Sequence, residues 1–250
     1  MNRVIYKELN VNNNMDIDVK KLTKEQTIKL LAILTLSEGY INHSKPKYPF
    51  VRLYTLSSSK EQHKLFENLC IKICKKKPNS YIIHNKEKKE LMSSNIRSKE
   101  MIKELYRLSP TYKTSPGPKI SKEEFLNSKQ PTIRFLQNEQ ENIKWLGLRL
   151  WFDFDGSISP NFKLKRKKQI INGRMYRYFQ VQFECETKIA ETNPQLVKEL
   201  VKLCNSLGLK ARITHDKRKW SNIEGVTMSE LNSVRIFAEK GPITNIKISK

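Results

Sequence analysis

Two nine-residue stretches of this chain follow the same plan. Leu31–Gly39 (LAILTLSEG) and Leu148–Gly156 (LRLWFDFDG) each begin with leucine, stay mainly apolar, and end in an acidic residue followed by glycine. Their acids, Glu38 and Asp155, lie 117 positions apart, which leaves room for one small α/β unit between the motifs. A stretch of similar length follows the second motif. The sequence therefore predicts a duplicated unit in which each copy delivers one carboxylate to a shared place.

A helix is predicted before each acid. Thr23 followed by Gln26 resembles a capping box at the start of the first helix. In the second copy Asn138 is the candidate N-cap. Gly39 and Gly156 are predicted to end the two helices.

Each motif is followed by strand-like, helical and again strand-like sequence. The helical segments that begin at Leu65 and Leu196 align without gaps at an offset of 131 positions. Because the acids are offset by only 117, the second copy carries about 14 extra residues, which we place in its first hairpin. The dipeptide Asn172-Gly173 is a strong signal for the turn of that hairpin.

The strands on either side of this turn alternate with a period of two. One side, here called the polar face, collects Lys163, Lys165, Lys167, Tyr176, Tyr178, Gln180 and Gln182. The other side, here called the apolar face, collects Ile158, Phe162, Leu164, Met175, Phe179, Val181, Phe183 and Cys185, and is predicted to be core. The ordinary interpretation of the polar face is a solvated sheet surface.

Charge favours a second interpretation of the polar face. The chain has 48 Lys and Arg against 25 Asp and Glu, a formal net charge of +23, which predicts a polyanionic partner. A two-stranded ribbon can enter the DNA major groove, where Gln reads adenine and Lys or Arg reads guanine. The candidate DNA contacts are the seven polar-face residues named above together with Arg174, Arg212 and, in the first copy, Arg52 and Tyr54, which alternate with the apolar Val51 and Leu53.

The rest of the composition narrows the class of protein. No window approaches the roughly 18 consecutive apolar residues of a membrane span, and the N-terminal stretch lacks a signal-peptide core. We therefore expect an intracellular protein of the cytoplasm or an organelle matrix, with no membrane partner. The four cysteines and four histidines lack the spacing of a zinc site.

The two copies are separated by Leu108–Thr132, a segment rich in Pro, Ser and Lys that is predicted to be a linker. The expected organisation is a first subdomain at 1–107, a linker at 108–137 and a second subdomain at 138–250. Such a chain would act as a monomeric pseudo-dimer.

With leucine first, the acid eighth and glycine ninth in both motifs, the chain resembles the LAGLIDADG homing endonucleases, in the single-chain form that carries two motifs. The resemblance implies a mixed α+β fold of two pseudo-symmetric αββαββα subdomains. Each would form an antiparallel, saddle-shaped sheet packed under helices.

The resemblance also implies a metal site. The two motif helices would lie side by side, so that Glu38 and Asp155 bind a divalent metal together with the main-chain carbonyls of Ser37 and Phe154. Mg²⁺ is the expected ion, and Mn²⁺ or Ca²⁺ can substitute in binding. Basic helper residues of the family would fall near Lys113 or Lys119 in the first copy and at Lys247 in the second.

Three motif positions depart from the family pattern. The third position, usually small, is Ile33 in one motif and Leu150 in the other, and the second position of the later motif is Arg149. These side chains bear on how tightly the helices can pack. The sixth position is Asp153 in the second motif only, which adds a carboxylate in one half.

The predicted function is site-specific DNA cleavage that makes a double-strand break in a long, asymmetric site. The alternative is an intron RNA maturase of the same family, with or without DNA cleavage. A third hypothesis, from another class, is a basic nucleic-acid-binding protein with no catalytic activity.

Overall fold

The computed structural model describes residues 18–42, 49–56, 59–84 and 89–240. The first half consists of α1 (Lys24–Ser37), β1 (Gly39–Asn42), β2 (Phe50–Leu56), α2 (Lys60–Cys74), β3 (Asn79–His84), β4 (Glu90–Ile96) and α3 (Lys99–Leu108). A short helix, α4 (Lys122–Asn127), follows between the halves.

The second half repeats this order. It consists of α5 (Glu141–Asp155), β5 (Gly156–Ile171), β6 (Arg174–Ala190), α6 (Pro194–Ser206), β7 (Ala211–His215), β8 (Ile223–Met228) and α7 (Leu231–Lys240). The order αββαββα in both halves confirms the predicted α+β fold class. None of the described helices has the length and apolar character needed to cross a membrane.

Each half contains a four-stranded antiparallel sheet among its described residues. The strand orders are β1-β2-β4-β3 and β5-β6-β8-β7, so the two sheets share one topology. In the first sheet Tyr40 pairs with Arg52, and in the second Ser157 pairs with Lys188. Because Tyr40 and Ser157 each follow a motif glycine, Arg52 and Lys188 occupy equivalent positions in the two halves.

The motif helices α1 and α5 pack against each other at the centre of the molecule. The third motif residues, Ile33 and Leu150, are both fully buried, so large apolar side chains fill this region in place of small ones. At the other end of the pair, the Lys29 ammonium of α1 lies 2.5 Å from the carboxylate of Glu139, just before α5. The two halves are thus joined through an apolar helix pair with an ion pair at its start.

The start of α1 is as predicted, and the start of α5 is not. Thr23 and Gln26 form a reciprocal capping box at α1. In the second half Gln140 is the N-cap, and the predicted cap, Asn138, lies in a turn that continues the 3-10 turn at Arg134–Leu136. The prediction failed because this preceding turn uses the residues that would have begun the helix.

The motif glycines end the helices because a side chain at either position would collide with the last helical turn. Neither Gly39 nor Gly156 has a positive φ, so neither acts as a left-handed helix cap. A Cβ at Gly39 would lie 2.7 Å from the Cα of Thr35, and one at Gly156 would lie 2.4 Å from the carbonyl oxygen of Phe152. Glycine lets the following strand leave close against the last helical turn.

The segment between the halves, which is predicted to be a linker, is packed. Tyr112, Phe125, Ile133 and Leu136 are buried. The buried carboxylate of Glu199 in α6 accepts hydrogen bonds from the Ile133 amide (2.7 Å) and the Thr132 hydroxyl (2.9 and 3.0 Å). The end of this segment is therefore fastened to the second half, whereas Tyr112, near its start, donates a 2.8 Å hydrogen bond to the Leu105 carbonyl of α3. The subdomain limits at 107 and 138 stay predictions.

The hairpin of β5 and β6 extends well past its sheet. Asn172 and Gly173 both have positive φ, 49° and 75°, which confirms the predicted turn. β8 pairs with β6 only from Thr187 to Ala190, so the rest of the hairpin runs on as a two-stranded ribbon for roughly 40 Å.

Burial of the ribbon's apolar face was predicted wrongly. Phe162 is 62% exposed and Val181 is 65% exposed, whereas Ile189, on the same side at the base of the ribbon, is fully buried. The core beneath the sheet ends where the four-stranded part ends. Alternation predicts which residues share a face, but it does not predict how far the core extends.

Candidate active site and nucleic-acid interface

The two motif helices end at the same cleft. Its volume is about 410 Å³, and its lining includes Ser37, the last residue of α1, and Asp155, the last residue of α5. Glu38 follows Ser37 directly, caps α1 and is half-buried, as is Asp155. The structure therefore brings the ends of both motifs together.

The electrostatics of this cleft favour a cation. Both helices point their C-terminal ends toward it, and a helix C-terminus carries roughly half a negative charge. Carboxylates at such ends are unfavourable unless a positive group lies nearby. The fold places Glu38 and Asp155 at these ends in both halves.

The donor set fits a hard divalent ion. Carboxylate and main-chain carbonyl oxygens are the ligands that Mg²⁺ prefers, and Mg²⁺ retains several waters or shares substrate phosphates. Over residues 18–42, 49–56, 59–84 and 89–240, no group of three or more His, Cys, Asp or Glu side chains could hold a metal. An ion at this cleft would therefore need water or phosphate oxygens in addition to the protein.

Four charged residues that the sequence analysis did not select also line the cleft. They are Lys188, Glu191, Lys219 and Glu224. Lys188 forms an ion pair with Glu224. The period of two along β6 places Lys188 on the polar face at the base of the ribbon, but it does not predict that this residue reaches the cleft.

Glu191 is the most perturbed acid of this group. It is only 9% exposed, and its carboxylate accepts hydrogen bonds from the Thr192 and Asn193 amides, both at 2.7 Å. Burial raises the pKa of the Glu191 carboxyl to about 7, against the lowering effect of these two bonds. The second half thus adds an acid that titrates near neutral pH.

The departures from the motif pattern lie inside the protein. Asp153 is fully buried, and Arg149, one helical turn earlier, is 4% exposed. Burial lowers the pKa of the Arg149 guanidinium, and the charge of Asp153 partly opposes this. The extra carboxylate of the second motif is therefore shielded from solvent and acts on the charge of a buried cation.

The predicted basic helpers lie in different surroundings. The Lys113 ammonium is 5.7 Å from the centre of the Phe125 ring in α4, and the next residue, Thr114, lines the cleft. Lys119 is exposed in the segment before α4. Lys247 lies outside the described residues. Roles for these three lysines stay predictions.

The predicted DNA contacts of the second half share one side of the ribbon. Cross-strand pairing places Lys163 opposite Gln182, Lys165 opposite Gln180, and Lys167 opposite Tyr178. Tyr176 lies opposite Gln169 and Arg174 opposite Ile171, close to the turn. Arg212, on β7, ion-pairs with Glu186 at 3.9 Å, which continues the charged surface onto the sheet.

The first half presents fewer of these contacts. Arg52 is half-buried, donates a hydrogen bond from Nη2 to the Tyr81 hydroxyl (3.2 Å) and lies 4.9 Å from the centre of the Phe50 ring. Tyr54 is 36% exposed, and the alternating residues Val51 and Leu53 are buried. The predicted alternation in β2 is therefore present, with Arg52 held in place by aromatic neighbours.

The fold and the positions of the motif residues identify the class of protein. The chain has the LAGLIDADG fold, in the single-chain form with two motifs. No protein-family model matches its sequence, and no curated protein does.

Solved structures of I-DmoI are similar to this chain. The complex of I-DmoI with DNA and Mn has a TM-score of 0.53 at 12% identity, covering 89% of this chain and 99% of that one. Mesophilic variants of the homing endonuclease I-DmoI give 0.52 at 12%, covering 89% and 97%. The complex of I-DmoI with DNA and Ca gives 0.51 at 13%, covering 86% and 88%. At these identities the similarity establishes the fold.

Proposed function

We propose that this protein is a site-specific DNA endonuclease that makes a divalent-metal-dependent double-strand break and acts as a monomeric pseudo-dimer. One observation carries the proposal: the ends of α1 and α5, with an acid at each, meet at one cleft beside a basic two-stranded ribbon. Complexes of I-DmoI with DNA and with Mn or Ca support DNA and a divalent metal as ligands.

DNA binding would use the polar face of the ribbon in the major groove. Lysines there can reach phosphates or guanine, and the glutamines can pair with adenine. Strands of this length span about one turn of duplex, so the two halves would cover about two turns. The site should be long. It should also be asymmetric, because the second half carries the extended ribbon and the two surfaces differ in sequence.

Glu38 and Asp155 would hold the metal, with the carbonyls of Ser37 and Phe154 as further oxygen donors. A bound metal would stabilise the negative charge that develops on the phosphate and would activate a water molecule. Lys188 and Lys219 line the same cleft and would place positive charge near a bound phosphodiester. Arg52 holds the position in the first half that Lys188 holds in the second.

The test is a selection from a randomised duplex library incubated with the protein and Mg²⁺, with the cut ends captured and sequenced. Recovery of one long asymmetric site, cut on both strands, supports the proposal and supplies the target. Absence of cutting by a protein that still binds the duplexes tightly would overturn the nuclease proposal and leave DNA binding standing.

A further inference from the structure

The outer ribbon is basic on both of its sides. Residues 162–183 contain seven Lys or Arg and no Asp or Glu. Four of these cations belong to the polar side. The other three, Arg166, Lys168 and Arg177, lie on the apolar face, because Arg166 pairs across the strands with Phe179 and Lys168 pairs with Arg177.

Aromatic rings, aliphatic side chains and cations share this apolar face. Phe162 and Phe183 are cross-strand partners with ring centres 5.1 Å apart, and both are about half exposed or more. Further out, the Arg166 guanidinium lies 5.4 Å from the centre of the Phe179 ring, which is 59% exposed. Large apolar side chains exposed in a continuous row indicate a surface that a ligand covers.

The three cations decide what kind of ligand fits. An apolar protein surface would bury Arg166, Lys168 and Arg177 without partners, which is unfavourable. A second copy of this chain, packed about a two-fold axis, would bring the same cations together. A nucleic-acid strand fits both the cations and the exposed rings, because its phosphates pair with the cations and its bases stack on the rings.

The rings favour unpaired bases. In a duplex the base faces are stacked inside and only the edges are open in the grooves, whereas an unpaired strand offers its base faces to aromatic side chains. We propose that the apolar face of the ribbon binds an unpaired nucleic-acid strand, on the side opposite the polar face. This site is separate from the cleft, so the inference goes beyond DNA cleavage and does not depend on it.

Two adjacent rungs of the ribbon provide a matched test. The double variant Arg166→Gln/Phe179→Ser removes one cation and one ring from the apolar face, and Lys167→Gln/Tyr178→Ser removes the same from the polar face. All four side chains are exposed, so both variants should fold, which circular dichroism would check. The probes are a labelled RNA of about a dozen nucleotides with no self-pairing, the DNA strand of the same sequence, and a random duplex DNA.

The expected result is a loss of about tenfold in affinity for both single strands in Arg166→Gln/Phe179→Ser, with single-strand binding by the polar-face variant close to that of the wild type. Equal losses in the two variants, no single-strand binding by the wild type, or an equal loss of duplex affinity in the apolar-face variant would each overturn the proposal. So would sedimentation showing a wild-type dimer that the apolar-face variant dissociates. Duplex cleavage, assayed separately, tests the cleft alone.

Discussion

The side-chain amide of Gln62, in α2 of the first half, donates a 2.9 Å hydrogen bond to the main-chain carbonyl of Asp153, in the last turn of α5. Both residues are buried. The bond crosses between the halves only two residues before Asp155. It therefore fixes the end of the second motif helix against the first half.

Replacing Gln62 with Leu should lower the free energy of unfolding by about 1–3 kcal/mol, because the buried carbonyl of Asp153 loses its donor. Urea denaturation measures this. Gln169→Leu, at an exposed glutamine of the ribbon, is the matched control and should change stability little. Equal midpoints for Gln62→Leu and the wild type would show that the bond does not hold the halves together.

Glu38→Gln and Asp155→Asn should each abolish double-strand cleavage of the selected site and leave DNA binding intact. Each removes one charged oxygen donor that the proposed metal site needs while keeping side-chain size. Cleavage on supercoiled plasmid and binding by gel shift would be measured side by side. Glu61→Gln, at an exposed acid of α2, is the control and should cut normally. Full cutting by either motif variant would sink the assignment of these acids.

Glu191 should make stability depend on pH. Its pKa is raised to about 7 in the folded protein, from an ordinary value of 4.5, so between these values the folded state binds more protons than the unfolded state. Stability from this group therefore falls as pH rises from about 4.5 to about 7, by at most about 3 kcal/mol. Glu191→Gln keeps an oxygen acceptor for the two amides and removes the titration.

The measurement is urea denaturation of the wild type and Glu191→Gln at about pH 5 and about pH 8, with a chelator present. The variant should gain stability relative to the wild type as pH rises. A difference between the two proteins that stays constant across this range would contradict the raised pKa.

Glu199→Ala should loosen the segment between the halves. The Ile133 amide and the Arg134 guanidinium would lose their carboxylate partner, lowering the free energy of unfolding by about 3 kcal/mol. Trypsin cleavage at Lys119, Lys122 and Lys129 should then become faster. Glu230→Ala, which removes an exposed ion pair with Lys210, should leave both readouts nearly unchanged. Unaltered proteolysis of Glu199→Ala would mean that other contacts hold the segment.

The sequence predicts local features well. The capping box at Thr23, the turn at Asn172-Gly173 and the alternation around Val51 and Leu53 depend on neighbouring residues, and all three are present. The side of the ribbon on which Phe179 lies was also predictable. Its exposure was not, because that depends on where distant helices stop covering the sheet.

Long-range partners were beyond prediction for the same reason. Lys188 becomes a cleft residue only once β6 is registered against β5, and Glu191 acquires its raised pKa only through burial. Glu199 is an ordinary helical acid in sequence, and its hydrogen bonds reach residues more than 60 positions earlier. Such contacts are properties of the assembled fold.

The packed segment also determines where the chain can be divided. Glu199 and Asn193 hold residues 114–134 against α6. A break in the middle of this segment would therefore leave part of it on the first fragment, away from the helix on which it packs. A break close to Ser109 would leave the segment on the second piece. Reassociation would then have to restore the helix pair, the Lys29–Glu139 ion pair and the hydrogen bonds Gln62–Asp153 and Tyr112–Leu105. Co-expressed fragments or chimeras with another two-motif protein should therefore exchange residues up to 108 as one module.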